Sequence, residues 1–169
     1  MPIRAALGIL AAARLAGRLA AGAAAGVVAT TAMSAVLGAL HRAGTIDRQP
    51  PQLIVDTVLP HLPEDKNRVL AAVAHFGYGT SAAAAYAAAV PVAARGATSG
   101  ALYGLLVWFC GYEGWLPLLR VMPPAHRDDP NRVGTMVAAH VVFGAVLGGV
   151  LRNIARRARR RHSPSRPTR

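Results

Sequence analysis

The chain has one cysteine, Cys110, and one lysine, Lys66. A single thiol excludes an internal disulfide and leaves the redox compartment unreadable. Lysine scarcity beside many arginines fits a bias of base composition and carries no function. Aromatic residues make up 5% of the chain and charged residues 15%. Missing as well are a Gly-x-Ser-x-Gly elbow, a phosphate loop, a haem-attachment motif and a His-Glu-x-x-His helix. No Ser/His/Asp arrangement can be placed in space. Enzyme classes that show themselves through short motifs are therefore without support, and the expected protein is non-enzymatic.

What is present is apolar surface of a particular kind. The chain is 53% hydrophobic, with alanine and glycine doing most of that work. Mean hydropathy is +0.34. The net charge of +12 would suit a nucleic-acid binder, but no nucleic-acid partner is expected, because the charges avoid four apolar stretches. These are residues 19–40, 69–94, 97–119 and 133–151, each near the roughly 20 residues that cross a bilayer core as a helix. A soluble alanine-rich bundle would need charged faces along its helices. Residues 69–94 and 133–151 contain no Asp, Glu, Lys or Arg.

The chain also repeats itself. Gly22–Gly26, Pro50-Pro51, Asn67-Arg68-Val69 and Ala74-His75 recur in the same order as Gly96–Gly100, Pro123-Pro124, Asn131-Arg132-Val133 and Ala139-His140. Ordered recurrence predicts an all-α polytopic membrane protein: four transmembrane helices built as two tandem helical hairpins. Residues 1–155 form that membrane domain, and 156–169 form a basic, disordered tail. Gly22–Gly26 belongs to the repeat, so the first stretch is part of the folded unit and not a cleaved export signal. Residues 5–18 are expected as a short interfacial helix, with Arg14 and Arg18 at the headgroups.

With four spans both termini share one side. Arg4, Arg14, Arg18, Arg95 and the arginines from Arg152 onward lie there; Arg42, Arg48, Lys66, Arg68, Arg120, Arg127 and Arg132 lie opposite. The positive-inside rule then places both termini in the cytoplasm. The cluster Arg156, Arg157, Arg159, Arg160 and Arg161 either binds anionic lipid head groups, at about 1 kcal/mol per residue, or only anchors the topology, which is the favoured reading. In the first outer loop, Pro50-Pro51 opens a short helix with Ile54, Val55, Val58, Leu59 and Leu62 as its apolar stripe, a packing element on the outer surface. The second outer loop reads as simply polar.

Lipid gives helices no hydrophobic reason to associate, so tight interfaces use small residues. Gly22, Gly26 and Thr30, then Gly96, Gly100 and Gly104, then Gly144 and Gly148, fall four apart and predict packing faces. His75 and His140 are each followed four residues later by a glycine, Gly79 and Gly144, on the same helix face. The two imidazoles should therefore point inward, at equal depth. An ionisable group within a membrane is a functional hypothesis, and histidine can titrate near neutrality. The bland reading, a hydrogen bond from each ring to a neighbouring backbone, is favoured over a site. No cofactor is expected, since two histidines are too few for a structural zinc site; a metal or haem held by both is the dissenting alternative. Glu113 shares their depth but lies about 180° from the glycine face. Gly111, Gly114 and Pro117 could distort the helix and re-aim it.

Ala21-Gly22 through Gly26-Val27-Val28-Ala29, the Pro-Pro after a span, and Ala139-His140-Val141-Val142-Phe143 leading to Leu151-Arg152 resemble the YagU-like family of small bacterial inner-membrane proteins of unknown function, over about residues 20–155. The resemblance implies a multispan protein of the inner membrane and supplies no catalytic residues. The expected function is a small transport-, ion- or stress-related component with a buried histidine pair. The alternative is a structural or accessory subunit whose glycine faces bind another membrane protein or a second copy of the chain.

Overall fold

The structure, a computed structural model, describes residues 2–44 and 49–162. It is all-α, with no strand among the described residues. Five helices carry it: α1 Pro2–Arg42, α2 Pro50–Val58, α3 Glu64–Ala89, α4 Ala97–Phe109 and α5 Pro130–His162. The helix of α4 continues through a π turn, Cys110–Trp115, into a last α segment, Leu116–Leu118. Two helical stretches, Arg4–Arg42 and Pro130–Arg161, are long and apolar enough to cross a membrane. That is two rather than the expected four. α3 is long enough, but His75, Tyr78, Thr80 and Ser81 dilute its apolar character, and residues 82–89 are alanine apart from Tyr86. α4 is interrupted after 13 residues by the π turn.

Three local signals set the ends. Asp129 caps α5, its Oδ1 accepting the backbone N–H groups of Asn131 at 2.8 Å and Arg132 at 3.1 Å, with Pro130 at the first helical position. Glu64 and Asp65 open α3, where acidic side chains favour the helix dipole. The π turn follows from Pro117. Proline has no N–H for the carbonyl four residues back and clashes with it, so the ladder shifts: the N–H of Leu116 bonds to Gly111, five residues back.

α1 packs along α3, α4 along α5, and α1 along α5. The shared core holds Ala29, Met33, Leu37, Tyr86, Ala87, Phe143, Leu147 and Leu151. α3 and α4 meet mainly through side chains. The Tyr103 hydroxyl donates to the Ala82 carbonyl at 2.7 Å, and the Tyr86 hydroxyl lies 2.9 Å from Ser99 Oγ. Ser99 already donates to Ala94 O at 2.7 Å, so Tyr86 is the donor there. α2 is pinned to α3 by Asn67, which is 1% exposed and donates to Asp56 Oδ1 at 2.5 Å.

Several expectations need correction. Residues 5–18 are not a separate interfacial helix; they continue α1 without a break, because Ala, Leu and Arg are strong helix formers. The second stretch ends as α-helix at Ala89, short of residue 94, ahead of Pro91. The apolar stripe of the first loop stops at Val58, leaving Leu59 and Leu62 outside the helix, and only Val55 of it is buried. Residues 156–162 are helical rather than disordered. The expected disorder of 163–169 lies outside the described residues, as does Arg48. The second outer loop is more than polar: Asp128 accepts from Tyr112 Oη at 2.6 Å and pairs with Arg132 at 3.0 Å, which ties the π turn to the start of α5.

Candidate functional site

The glycine faces are points of backbone contact. A side-chain carbon added at Gly100 would run into the Gly144 carbonyl, one at Gly104 into the His140 carbonyl, and one at Gly148 into the Gly96 carbonyl; one at Gly144 would strike Gly100. In the other pair, a carbon at Gly22 would stand 2.7 Å from Ala83 O, one at Gly26 2.7 Å from the Ala83 methyl and 3.3 Å from Gly79 O, and one at Gly79 would strike the Thr30 hydroxyl. Gly96 differs from the rest. Its own added carbon would meet only Arg152 Nη1, at 3.5 Å, and it serves instead by offering its carbonyl to Gly148.

These contacts carry both histidines to one place. A cavity of about 100 Å³ lies where α1, α3, α4 and α5 come together beneath α2, and both His75 and His140 line it. His140 Nδ1 lies 2.8 Å from the Met136 carbonyl, so with Nδ1 as the protonated nitrogen it donates there, and Nε2 is left as an acceptor. Three other polar atoms at this cavity are buried and find no hydrogen-bond partner among the described residues: His75 Nε2, Thr30 Oγ1 and Trp108 Nε1. Buried polar atoms are nearly always paired, and each one left unpaired costs about 1–3 kcal/mol. Three at one cavity form a donor and acceptor set with nothing yet to bond. Trp108 can only donate; Thr30 can do either.

Glu113 is not brought to this cavity. The π turn swings Gly111, Tyr112, Trp115 and Leu116 onto the wall, while the Glu113 carboxylate lies 3.6 Å from His126 Nδ1 in the loop region. Distortion at Gly111, Gly114 and Pro117 thus re-aims the aromatics, not the acid. Among the described residues no group of three His, Cys, Asp or Glu side chains is placed to hold a metal ion. Sequence reasoning missed Thr30 and Trp108. Thr30 was visible as the one non-glycine in a run of Gly-x-x-x-Gly-x-x-x-Thr, and Trp108 as the residue four after Gly104, on the same helix face. The short helix α2 was also underestimated, since Pro50, Pro51 and Ile54 close the cavity.

Arg156, Arg157, Arg159, Arg160 and Arg161 are all exposed along the last turns of α5, remote from this cavity. No curated protein and no solved structure matches the chain. The YagU-like name rests only on the short motifs quoted above, and the comparisons return a different one. A family described as a family of unknown function, DUF6789, matches residues 16–162, from within α1 to the end of α5, and the chain belongs to that family.

Proposed function

We propose that this is a four-span protein of the bacterial inner membrane, built as two tandem hairpins with both ends cytoplasmic, and that it handles a proton or small ion through the cavity at His75 and His140. It works without a catalytic step of its own and without a resident cofactor. The observation that carries the reading is the set of unpartnered polar atoms, His75 Nε2, Thr30 Oγ1 and Trp108 Nε1, around one cavity. A space of about 100 Å³ takes several waters, each needing roughly 10–15 Å³ and a few polar partners. Histidines beside such water are suited to passing protons. A π turn in the wall adds support, because π turns recur at functional sites.

The membrane setting is supported by where large apolar side chains lie. Leu102, Leu106, Phe109, Val69 and Val73 are 54–65% exposed, more than a soluble surface comfortably shows. In lipid that exposure is ordinary. α1, with 41 residues, is about 60 Å long, twice the bilayer core, so its exposed first half extends beyond the membrane.

The test is proton flux in proteoliposomes loaded with a pH-sensitive dye under an imposed pH gradient. Wild-type protein should equilibrate faster than empty vesicles. His75→Gln and His140→Gln should each return the rate to baseline, and the double change should do no more. Wild-type flux equal to that of empty vesicles sinks the reading. Co-purification of a stoichiometric membrane chain, together with absent flux, would instead establish the accessory-subunit alternative, for which the glycine-lined hairpins would serve as docking faces.

A further inference from the structure

We infer that the cavity at His75 and His140 opens sideways between α3 and α4, and that it takes from the membrane an uncharged aromatic molecule carrying a hydrogen-bond acceptor, such as an aryl ketone or a quinone ring. The inference rests on the membrane setting proposed above, but not on the movement of protons. The opening follows from how the helices pair. α1 packs along α3, α4 along α5 and α1 along α5, whereas α3 and α4 do not pack along one another. Toward their connection the gap is bridged by the hydroxyls of Tyr103 and Tyr86. Beside the cavity the rings of Tyr78 and Trp115 stand across it, with centroids 6.2 Å apart. Tyr78 lines the cavity and yet is 47% exposed, so it stands at the mouth.

The lining decides what can enter. Both tryptophans of the chain, with Tyr78, Tyr112 and Phe143, line this one cavity, although aromatic residues are only 5% of the sequence. Their faces and edges suit a planar ring. Among the described residues the lining carries no Asp, Glu, Lys or Arg. A charged guest would be left unpaired there, at a cost that an uncharged one avoids. The polar atoms without partners then set the substituent. Thr30 Oγ1 comes from α1, His75 Nε2 from α3 and Trp108 Nε1 from α4, so the set converges from three helices. The indole N–H can only donate, and the hydroxyl can donate as well. A carbonyl oxygen, with two lone pairs, is their complement.

Size and route agree with a guest from the lipid side. The cavity measures about 100 Å³, whereas a closed apolar cavity of about 150 Å³ holds a benzene ring. A ring is admitted here because the space continues into the gap between α3 and α4, where the rest of the molecule lies between Tyr78 and Trp115. The end of the bundle is covered by Pro50, Pro51 and Ile54 of α2, so the side is the open way in. Such a guest displaces water from the apolar walls and takes over its hydrogen bonds.

Because both tryptophans line the cavity, their fluorescence reads its occupancy. The full chain, in a neutral detergent, is titrated with acetophenone. The competitor is α-methylstyrene, which has nearly the same shape and no acceptor. Acetophenone should quench saturably, and α-methylstyrene should displace it only at concentrations about 3- to 10-fold higher, the worth of one hydrogen bond. Non-saturating quenching, equal to that of a tryptophan amide in the same micelles, overturns the site. Equal competition by the hydrocarbon overturns the acceptor. Trp108→Phe keeps a ring, loses the donor and leaves Trp115 as reporter. It should weaken acetophenone about 3- to 10-fold and α-methylstyrene less. Thr30→Val, which retains both tryptophans, makes the same comparison if that exchange unfolds the protein. Tyr78→Cys with Trp115→Cys, in a Cys110→Ser background and bridged by a cleavable bifunctional thiol reagent, should keep acetophenone from Trp108 until the bridge is cut. Unchanged access overturns the side entry. Carbonate extraction of cell membranes reads the membrane setting separately. Release of the chain into the soluble fraction overturns that setting and the route from lipid, whereas failed binding by a retained chain overturns the guest alone.

Discussion

The helix pairs α1–α3 and α4–α5 both approach at glycines, but not at matching distances. In α4–α5, Gly100 meets the carbonyl of Gly144; in α1–α3, Gly26 meets the carbonyl of Gly79 more loosely, 3.3 Å from the position of an added carbon. The difference has a local cause. α4–α5 carries Gly104 and Gly148 on either side of the crossing. α1–α3 carries Thr30 and Ala83 at the corresponding places, and the Thr30 hydroxyl lies against Gly79. Two extra side chains hold α1 and α3 apart, and the looser side is also where Thr30 and His75 have polar atoms without partners. The tight hairpin has satisfied His140 through Met136. Packing density thus differs between the two halves, while unmet hydrogen bonding is shared: Thr30 and His75 lie on the loose side and Trp108 on the tight one.

The largest expected effect tests the tight half. Gly100→Ala should lose more stability in a detergent melt than Gly26→Ala, because it forces a carbon into a backbone carbonyl rather than against a neighbouring methyl. The loss at Gly26 should be about 1–3 kcal/mol, as for ordinary overpacking, and that at Gly100 greater. Leu106→Ala, at an exposed position, is the control and should change little. Equal losses at Gly100 and Gly26 would erase the distinction between the hairpins.

A second change addresses the loose half. Thr30→Val keeps the shape and removes the hydroxyl. Taking away an unpaired buried group should leave stability unchanged or raise it by about 1 kcal/mol, while proton flux falls. A stability loss of that size would mean the hydroxyl is already bonded when the protein is folded. Smaller again is the asymmetry of the histidines. His140→Gln gives up the bond to Met136 and should cost about 0.5–1.5 kcal/mol. His75→Gln gives up no bond to the protein and should cost less; the reverse order would exchange their roles. The smallest effect lies at Arg120, which sits at φ 55° just past the last α segment, with the Val121 N–H bonded to Leu116 O at 3.0 Å. A left-handed conformation penalises a side chain by about 1–2 kcal/mol, but the greater freedom of glycine in the unfolded chain offsets about 0.5–1 kcal/mol of that, so Arg120→Gly should raise the melting temperature only slightly.

The helices were readable because apolar runs and glycine spacing are local properties. Gly22, Gly26, Gly100, Gly104, Gly144 and Gly148 all reach backbone contact, and His75 and His140 line one cavity. What was not readable depends on breaks in helical periodicity. The π turn rotates everything after Cys110, so a face computed at a constant angle from Gly104 misassigns Tyr112 and Trp115. Trp108 precedes the turn and lies four residues after Gly104, so its inward aim was legible from ordinary helical spacing. The length of α1 and the helicity of residues 156–162 were missed for another reason: arginine favours helix as strongly as it favours water, and charge alone says nothing against helix.

A glycine every fourth residue on both helices fixes alignment only to within one turn. If α5 moved along α4 by one turn, Gly104 would come opposite Gly144 and Gly100 opposite Gly148, and two smooth contacts would form again. Nothing in the glycine faces forbids that slide. The hairpin is indexed instead at its far end, where the Tyr112 hydroxyl holds Asp128 and Asp128 holds Arg132. One phenol and one carboxylate therefore act as the latch of a ratchet with a step of about 5.4 Å, and the depth of His140 relative to His75 is set by that latch rather than by the surfaces that slide.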